Sequence, residues 1–408
     1  MYPDPFDHPG EQAWSRLDGR SRGLGISLRW QSTEATHVDS RLLRCPEPES
    51  LPPGLRGLLD AQRVGSLTRA FRAGELVPDW QAERLVTIPG GFFRRTQGRL
   101  QVEPRVGRFY PGPFLAGAPG LPSGSPTAFR VTSIAPDGEI TVDFNHPLAG
   151  VPLELDLRLL DLVPTGEPPA DLGRAAVTNG PGMQARWRGQ ANDFHSGDPF
   201  ARGDAGLDAE FYAAPRMVHH LDDTARARIG HLYRSLLPDR AEVLDLMSSW
   251  TSHLDDRVNA ARVAGLGMNA EELAANPILD ERVVQDLNAE PCLPWADNRF
   301  DAVLCTVSVE YLVRPVQVFR EVRRVLRPGG RFVLTFSNRW FPPKAIALWA
   351  ELHEFERMGL VLEFFLEAGG FGGLETWSLR GLPRPAEDKY AAQLATSDPV
   401  YAVWGQAV

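Results

Sequence analysis

Residues 242–254 read EVLDLMSSWTSHL, an apolar run that passes into a loop carrying two hydroxyls, an indole and an imidazole. An α/β protein usually places a glycine-rich turn at such a strand end, against a nucleotide. No glycine stands here. Ser248 and Ser249 are small, and their hydroxyls can bond a carboxylate. His253 is either a base or a structural imidazole. Further polar groups follow later apolar runs: Asp286 in VVQDL, Ser308 to Tyr311 after DAVLCTV, and Asn338 with Arg339 after RFVLTFS. Arg339 is placed to pair with a substrate carboxylate. His219 and His220 are adjacent, so on a helix they point in different directions, and no metal site is expected.

The elements that must hold these groups begin near Asp208. TARARIGHLYRSLL repeats Ala, Ile and Leu at spacings of three and four, which predicts an amphipathic helix. Strands EVLDL and RVAGLG, helix NAEELAAN, ERVVQDL and DAVLCTVSV follow. Then come helix PVQVFREVRRVL, turn RPGG, strand RFVLTFS and an amphipathic helix AIALWAELHEF. GGFGG (369–373) is a turn into a sixth strand, and VYAVWGQ is the last one. Short strands that are apolar throughout are covered on both faces, and their alternation with helices predicts a parallel, doubly wound sheet over residues 206–408.

Upstream, residues 165–205 are dense in Pro, Gly and Asp without helical or strand period, the composition of a linker. Residues 23–164 hold short β-like runs broken by Pro and Gly, ending in LELDLRLLDL, whose period of two predicts a half-exposed antiparallel strand. This half is expected to be mainly β or α+β. Residues 1–22 are polar and read as a loose tail.

The whole chain has 408 residues, long enough for two or three domains, with 43% hydrophobic residues and a net charge of −9. That charge argues against nucleic acid as the main partner, which needs a basic face. Cys45, Cys292 and Cys305 form no CxxC pair, so neither disulfides nor a zinc knuckle are expected. The opening MYPDPFDHPG lacks a signal-peptide pattern, and no apolar stretch approaches the roughly 20 residues of a membrane span, so a cytoplasmic protein without membrane contact is expected.

The order of VVQDL, then FDAVLCTVSVEYL, then VFREVRRVLRPGGRFVLTFSN resembles the class I S-adenosylmethionine-dependent methyltransferases, over roughly residues 208–406. The resemblance implies a Rossmann-like seven-stranded fold with S-adenosylmethionine as cofactor. Asp245 would lie near the methionine end, and Asp286 would accept from the adenine amino group, flanked by Gln285 and Leu287. Met247, Ser248 and Ser249 form the loop, and Ser308 lies beside the methyl group. No acid ends the second strand, so Gly267, Met268 and Asn269 occupy the ribose position, where Asn269 or Glu271 would take the hydroxyls. FYAAPRMVHHLDD stands where the family often closes a lid, which offers Tyr212, Arg216 and His220 to cofactor or substrate. His220, Asn338 and Arg339 are the substrate-side candidates. Methyl transfer needs no dedicated base for nitrogen or sulfur nucleophiles; if there is one, Glu310 and Tyr311 are the best placed.

In the N-terminal half SLRWQ, HVDS, RVGSLTRAF and above all NHPLAG (145–150) resemble the SlyD-like branch of FKBP-type prolyl isomerases. The resemblance implies a peptide pocket with Trp30 as an aromatic wall and Asp39 as its acid. The usual Tyr-Gly is replaced by AGELVPDW, so Trp80 fills that place. These departures favour peptide binding over isomerisation. The function expected is therefore methyl transfer to a small molecule, with a binding module attached. A protein-directed methyltransferase, or a folding helper with a cofactor-sensing half, remain as alternatives. A nicotinamide enzyme is disfavoured, since no GxGxxG follows the first strand.

Overall fold

The computed structural model describes residues 5–6, 23–47, 56–57, 65–97, 100–115, 117–118, 121, 128–160, 169, 171–178, 180–255 and 257–408. Seventeen strands are named among them. The N-terminal half contributes β1 (Gly23–Gln31), β2 (Thr36–Arg44), β3 (Ser66–Phe71), β4 (Leu85–Pro89), β5 (Thr96–Gln97), β6 (Leu100–Gln101), β7 (Phe109–Tyr110), β8 (Phe129–Ile134), β9 (Glu139–Asp143) and β10 (Leu153–Leu160). The C-terminal half adds β11 (Glu242–Leu246), β12 (Arg262–Gly267), β13 (Glu281–Val284), β14 (Phe300–Thr306), β15 (Leu326–Phe336), β16 (Phe371–Arg380) and β17 (Val400–Ala407).

The C-terminal strands lie in the order β13-β12-β11-β14-β15-β17-β16. The first five run parallel, and β17 is antiparallel to both neighbours. The strand count is the seven that the resemblance implies, but the sheet is mixed rather than parallel throughout, because β17 runs against both of its neighbours. Nearly all of β11 and β14 is buried because helices cover both faces. On one face pack α5 (Pro315–Val325) and α7 (Glu354–Ala368); on the other packs α3 (Asp223–Leu236). The shorter helices are α1 (Leu172–Val177), α2 (Asp208–Phe211), α4 (Ala270–Ala275) and α6 (Ala347–Glu351).

Two local expectations change. AIALWAELHEF is not one helix: α6 stops at Glu351, Leu352 is extended, and His353 starts α7 through a capping box with Glu356. RPGG is not a turn ahead of its strand but lies inside β15, where the pairing with β14 slips between Phe300 and Ala302.

The sheet does not end at β16. Its outer edge pairs in parallel with β2, from Glu375 opposite Thr36 to Arg380 opposite Arg41, and the sheet continues through β1, β10 and β3 to eleven strands. Buried polar groups fasten this seam. Asp39, 1% exposed, accepts from Ser378 Oγ at 2.7 Å and pairs with Arg380 at 2.6 Å, while His37 bonds Thr376 Oγ1 at 2.8 Å. Burial holds the His37 imidazole neutral, its pKa pushed down to about 3. Asp39 is therefore no acid of a peptide pocket; it is locked in the seam. A second sheet, β4-β9-β8-β7, has its own aromatic core of Phe93, Tyr110, Phe114 and Phe129.

The stretch 165–205 is not a free linker. Residues 165–168, 170 and 179 lie outside the described residues, but Met183, Gln184 and Phe194 are buried, and Arg186 pairs with Glu363 of α7 at 2.6 Å. Gly180, at φ +115°, passes so close to α7 that a Cβ there would meet Phe355 at 2.3 Å. Pro and Gly serve here to lay an irregular chain tightly over a helix. Of the supposed tail 1–22, only residues 5–6 are described, and Phe6 is 6% exposed against β1. Residues 23–164 and 206–408 thus share one sheet rather than a tether.

Removing one partner of a buried ion pair leaves the other charge uncompensated, at a cost of about 3–5 kcal/mol. Asp39→Ala should lower the stability of the whole chain by that order in denaturant titration, in one transition reported by probes in both halves. Two separate transitions in the wild type would show that the seam does not couple them.

Candidate functional site

A cavity opens at the carboxyl ends of β11, β12, β13 and β14, beneath the segment 208–221. The loop after β11 makes its turn without glycine: Met247 itself takes the left-handed conformation, φ +59°. The small residue is supplied from across the sheet. At Gly267 a Cβ would stand 2.1 Å from the Ser248 carbonyl, and Ser248 N donates to Leu266 O at 2.7 Å. Val307, at the end of β14, is also at positive φ (+44°), a costly backbone for a β-branched residue of the kind that clusters at functional sites.

Met247, Ser248 and Ser249 line the cavity, so the loop is open toward it. Asp245, 2% exposed, accepts from Ser248 Oγ at 2.5 Å, and burial pushes its pKa up to about 6. Ser249 Oγ donates to Glu272 Oε2 at 2.6 Å. Trp250 stacks on His219 at 4.4 Å and donates to Val218 O at 3.3 Å, which ties the loop to the covering segment. His253 also lines the cavity, with burial the main cause that lowers its pKa to about 3; it is a neutral imidazole.

At the end of β12, Gly267, Met268 and Asn269 line the cavity as expected, but Asn269 has no free group for a ribose. Its Oδ1 caps α4 by accepting from Glu271 N and Glu272 N, and its Nδ2 donates to the carbonyls of Tyr212 and Ala213. Glu271 is exposed outside the cavity; Glu272, one residue on, faces it and accepts from Arg216 N at 2.7 Å. Helical geometry decides which of two neighbouring acids faces inward, and the sequence alone did not single out Glu272. After β13, Asp286 accepts from Asn288 N at 2.8 Å on Oδ1, with Leu287 buried beside it. Gln285 lines the cavity, but its Nε2 is engaged by the carbonyls of Glu290 and Cys292.

The 3-10 turn Val309–Tyr311 sorts the candidates after β14. Ser308 and Tyr311 line the cavity; Glu310 does not. Its carboxyl is turned into the core, 1% exposed, both oxygens without a partner, and burial pushes its pKa up to about 8. A base that faces away from the cavity is no base for it. The Tyr311 hydroxyl accepts from Phe341 N at 2.8 Å, and burial raises its pKa. Asn338 is exposed outside the cavity. Arg339 does not line the cavity: it pairs with Asp398 at 3.0 Å and lies over Tyr390, with its Nη2 unpartnered. The residue of that loop that reaches the cavity is Phe341, edge-on to His220 at 5.0 Å. Tyr212 and Arg216 line it too; the Arg216 guanidinium lies 4.6 Å from the Phe211 ring, and its Nη1 has no partner.

Residues 248–334 match the model of a methyltransferase domain family. The C-terminal half carries a class I methyltransferase domain. The cofactor of such a domain is S-adenosylmethionine. "Methyltransferase GfsG" of Streptomyces halstedii is 37% identical over 75 residues, 17% of this chain and 27% of that protein. "Ubiquinone/menaquinone biosynthesis C-methyltransferase UbiE" of Roseobacter denitrificans is 41% identical over 71 residues, 16% of this chain and 28% of that one. "Ubiquinone biosynthesis O-methyltransferase" of Xanthomonas oryzae pv. oryzae is 36% identical over 93 residues, 22% and 33%. The chain thus spans about a third or less of these three relatives. Among solved structures, the YcgJ protein of Bacillus subtilis is 14% identical, covering 44% of this chain and 97% of that one with a TM-score of 0.30.

The fit of the cofactor to this cavity rests on its polar groups: an unpartnered guanidinium nitrogen on Arg216, the Asp245 and Asp286 carboxylates at the ends of β11 and β13, and the Glu272 carboxylate in the first turn of α4. Glu310 supplies a separate test. Its folded pKa lies above the ordinary carboxylate value, so the native state holds the proton more tightly and loses stability as pH rises from about 4.5 through 8. Glu310→Gln should therefore melt above the wild type at pH 8.5, with the gap closing at pH 5. A gap that widens on acidification would place the carboxylate in a charged environment instead.

Proposed function

We propose that this protein transfers a methyl group from S-adenosylmethionine to a small-molecule acceptor. The observation that carries this reading is the set of carboxylates around one cavity, Asp245 on β11, Glu272 in α4 after β12 and Asp286 after β13, in and just ahead of the stretch that matches a methyltransferase domain. The cofactor supplies an electrophilic methyl group on a sulfonium centre. Around it this chain's residues bind, orient and exclude water.

Asp245 suits the methionine ammonium, since a carboxylate buried this deeply gains from a cation. Arg216, with its unpartnered nitrogen, suits the carboxylate of the same end. Glu272 takes the ribose hydroxyls in place of the acid missing from β12, and Asp286 takes the adenine amino group beside Leu287. The acceptor side is walled by Tyr311, Phe341 and His220. Relatives named for ubiquinone biosynthesis C- and O-methyl transfer support a small molecule over a protein as acceptor. Positioning and desolvation under the segment 208–221 supply the acceleration, with no carboxylate base in contact with the acceptor side. Within this reading the N-terminal half is a binding module rather than an isomerase.

Calorimetry should show S-adenosylmethionine bound saturably and NAD not at all. Asp286→Ala and Glu272→Gln should each weaken binding by about 1–3 kcal/mol, the range for a lost hydrogen-bond partner. Only Glu272→Gln should also abolish the preference for the intact ribose over a 2′-deoxyribose analogue. Unchanged affinity in both variants would overturn the cofactor placement.

Asp245 adds a proton-linked signature. A ligand cation beside it lowers its raised pKa, so binding should release a proton at pH 5.5 and none at pH 7.5. The comparison of binding heats in buffers of different ionisation enthalpy reads this directly; proton uptake at pH 5.5 would contradict the assignment.

A further inference from the structure

A second cleft lies in the N-terminal half, with a cavity volume of about 280 Å³, between the end of β1, the loop after β9 and the segment 182–189. Three indoles wall it: Trp30, Trp80 and Trp187. Trp80 and Trp187 are fixed by a shared acceptor, each donating its Nε1 to Asp143 Oδ2, at 3.1 and 3.3 Å. The other oxygen of Asp143 accepts from the backbone N and side-chain Nδ2 of Asn145, both at 2.7 Å. Asp143 is therefore saturated with donors, and its role is to hold the walls.

The cleft also contains Arg130, 5% exposed, stacked on Phe109 at 4.2 Å. Its Nη2 donates to Ala185 O at 3.1 Å, its Nε has no partner, and it forms no ion pair with any described residue. The acids nearest in charge are Asp143 and Glu356. Glu356 is occupied by Phe109 N at 2.8 Å, His353 N at 3.2 Å and Arg108 at 3.6 Å. Burial lowers the Arg130 pKa only to about 10, so the guanidinium is a cation at neutral pH. Arg188 adds a second cation, stacked over Trp80 at 4.3 Å and Trp187 at 4.9 Å, with no ion pair to any described residue.

Asp143, directly opposite Arg130 on β9, and Glu356 offset its charge, but neither forms an ion pair with it, so the guanidinium can take a further acceptor. Flat indole walls around that cation select a flat apolar body. We propose that this cleft binds an aromatic carboxylate, with the carboxylate on Arg130 and the ring between the indoles under Arg188. The acid is either a free aromatic acid or the carboxyl end of a polypeptide with an aromatic last residue; the chemistry of recognition is the same.

The test compares matched acids and amides by calorimetry on the full chain: 2-naphthoate against 2-naphthamide, and N-acetylphenylalanine against its methylamide. At least one acid should bind about tenfold or more tighter than its amide, as a charge-assisted pair requires. Preference for 2-naphthoate identifies a free acid as the source; binding of N-acetylphenylalanine alone identifies a chain end. Arg130→Met should remove the preference while leaving S-adenosylmethionine affinity unchanged, which separates this site from the methyl-transfer cavity. Arg188→Ala, a surface change that keeps the fold, should weaken the acid by about threefold more than the amide. Equal affinity of acid and amide in the wild type, no saturable binding of any probe, or a preference that survives both substitutions overturns the proposal.

Discussion

The rest of the molecule depends on the pairing of β16 with β2. An open α/β sheet has two edges, and an unpaired edge is a template for unwanted association. Here one edge is closed by the N-terminal half, in register over Glu375–Arg380 and Thr36–Arg41. Main-chain bonds alone would leave that register free to slip. Asp39, inside the seam, accepts from Ser378 and pairs with Arg380, and His37 reaches Thr376, so a slipped register would bury unpaired polar groups. These contacts set the alignment of the two halves.

From that alignment follows the position of both cavities. The ends of β11 to β14 face the segment 208–221, whose cover is anchored by Asp208 to Arg202 and Lys344 at 2.7 and 3.1 Å. Segment 180–202, laid over α7, fixes one wall of the second cleft through Trp187 and joins it to the methyltransferase half through Arg186 and Glu363. The same helix therefore supports the core of one half and a boundary of the other. Hydrogen bonds and burial connect the two sites through rigid elements, yet their chemistry differs. One is lined by the carboxylates of Asp245, Glu272 and Asp286, the other by the guanidinium groups of Arg130 and Arg188 among three indoles.

The loop that opened the sequence shows how a missing residue type is replaced physically. A glycine would supply positive φ and a bare backbone for close approach. Met247 accepts the positive φ, and Gly267 on the neighbouring strand supplies the bare surface. Ser248 and Ser249 then spend their hydroxyls on Asp245 and Glu272. The turn is held by side chains instead of by a motif, and so it carries no recognisable glycine signature.

What the sequence determined by itself is the class of the C-terminal sheet and the strand-end groups. Apolar runs of strand length alternating with 3.6-period helices point to a sheet covered on both faces, with ligand sites at the carboxyl ends of its parallel strands, while the antiparallel entry of β17 was not legible. Asp245, Asp286 and Ser308 were legible as strand-end groups, Tyr212 and Arg216 only through the resemblance to the methyltransferases, and all five line the cavity. The orientation of single side chains within irregular backbone was not legible. The turn that exposes Tyr311 buries Glu310, Arg339 is claimed by Asp398 from 59 residues away, and the first turn of α4 chooses Glu272 over Glu271. Nor could composition distinguish a linker from a chain pressed against α7, since Pro and Gly serve both. Local periodicity is written in neighbouring residues, whereas the β2–β16 seam and the partner of Asp39 depend on residues hundreds of positions apart, and only the folded chain brings those together.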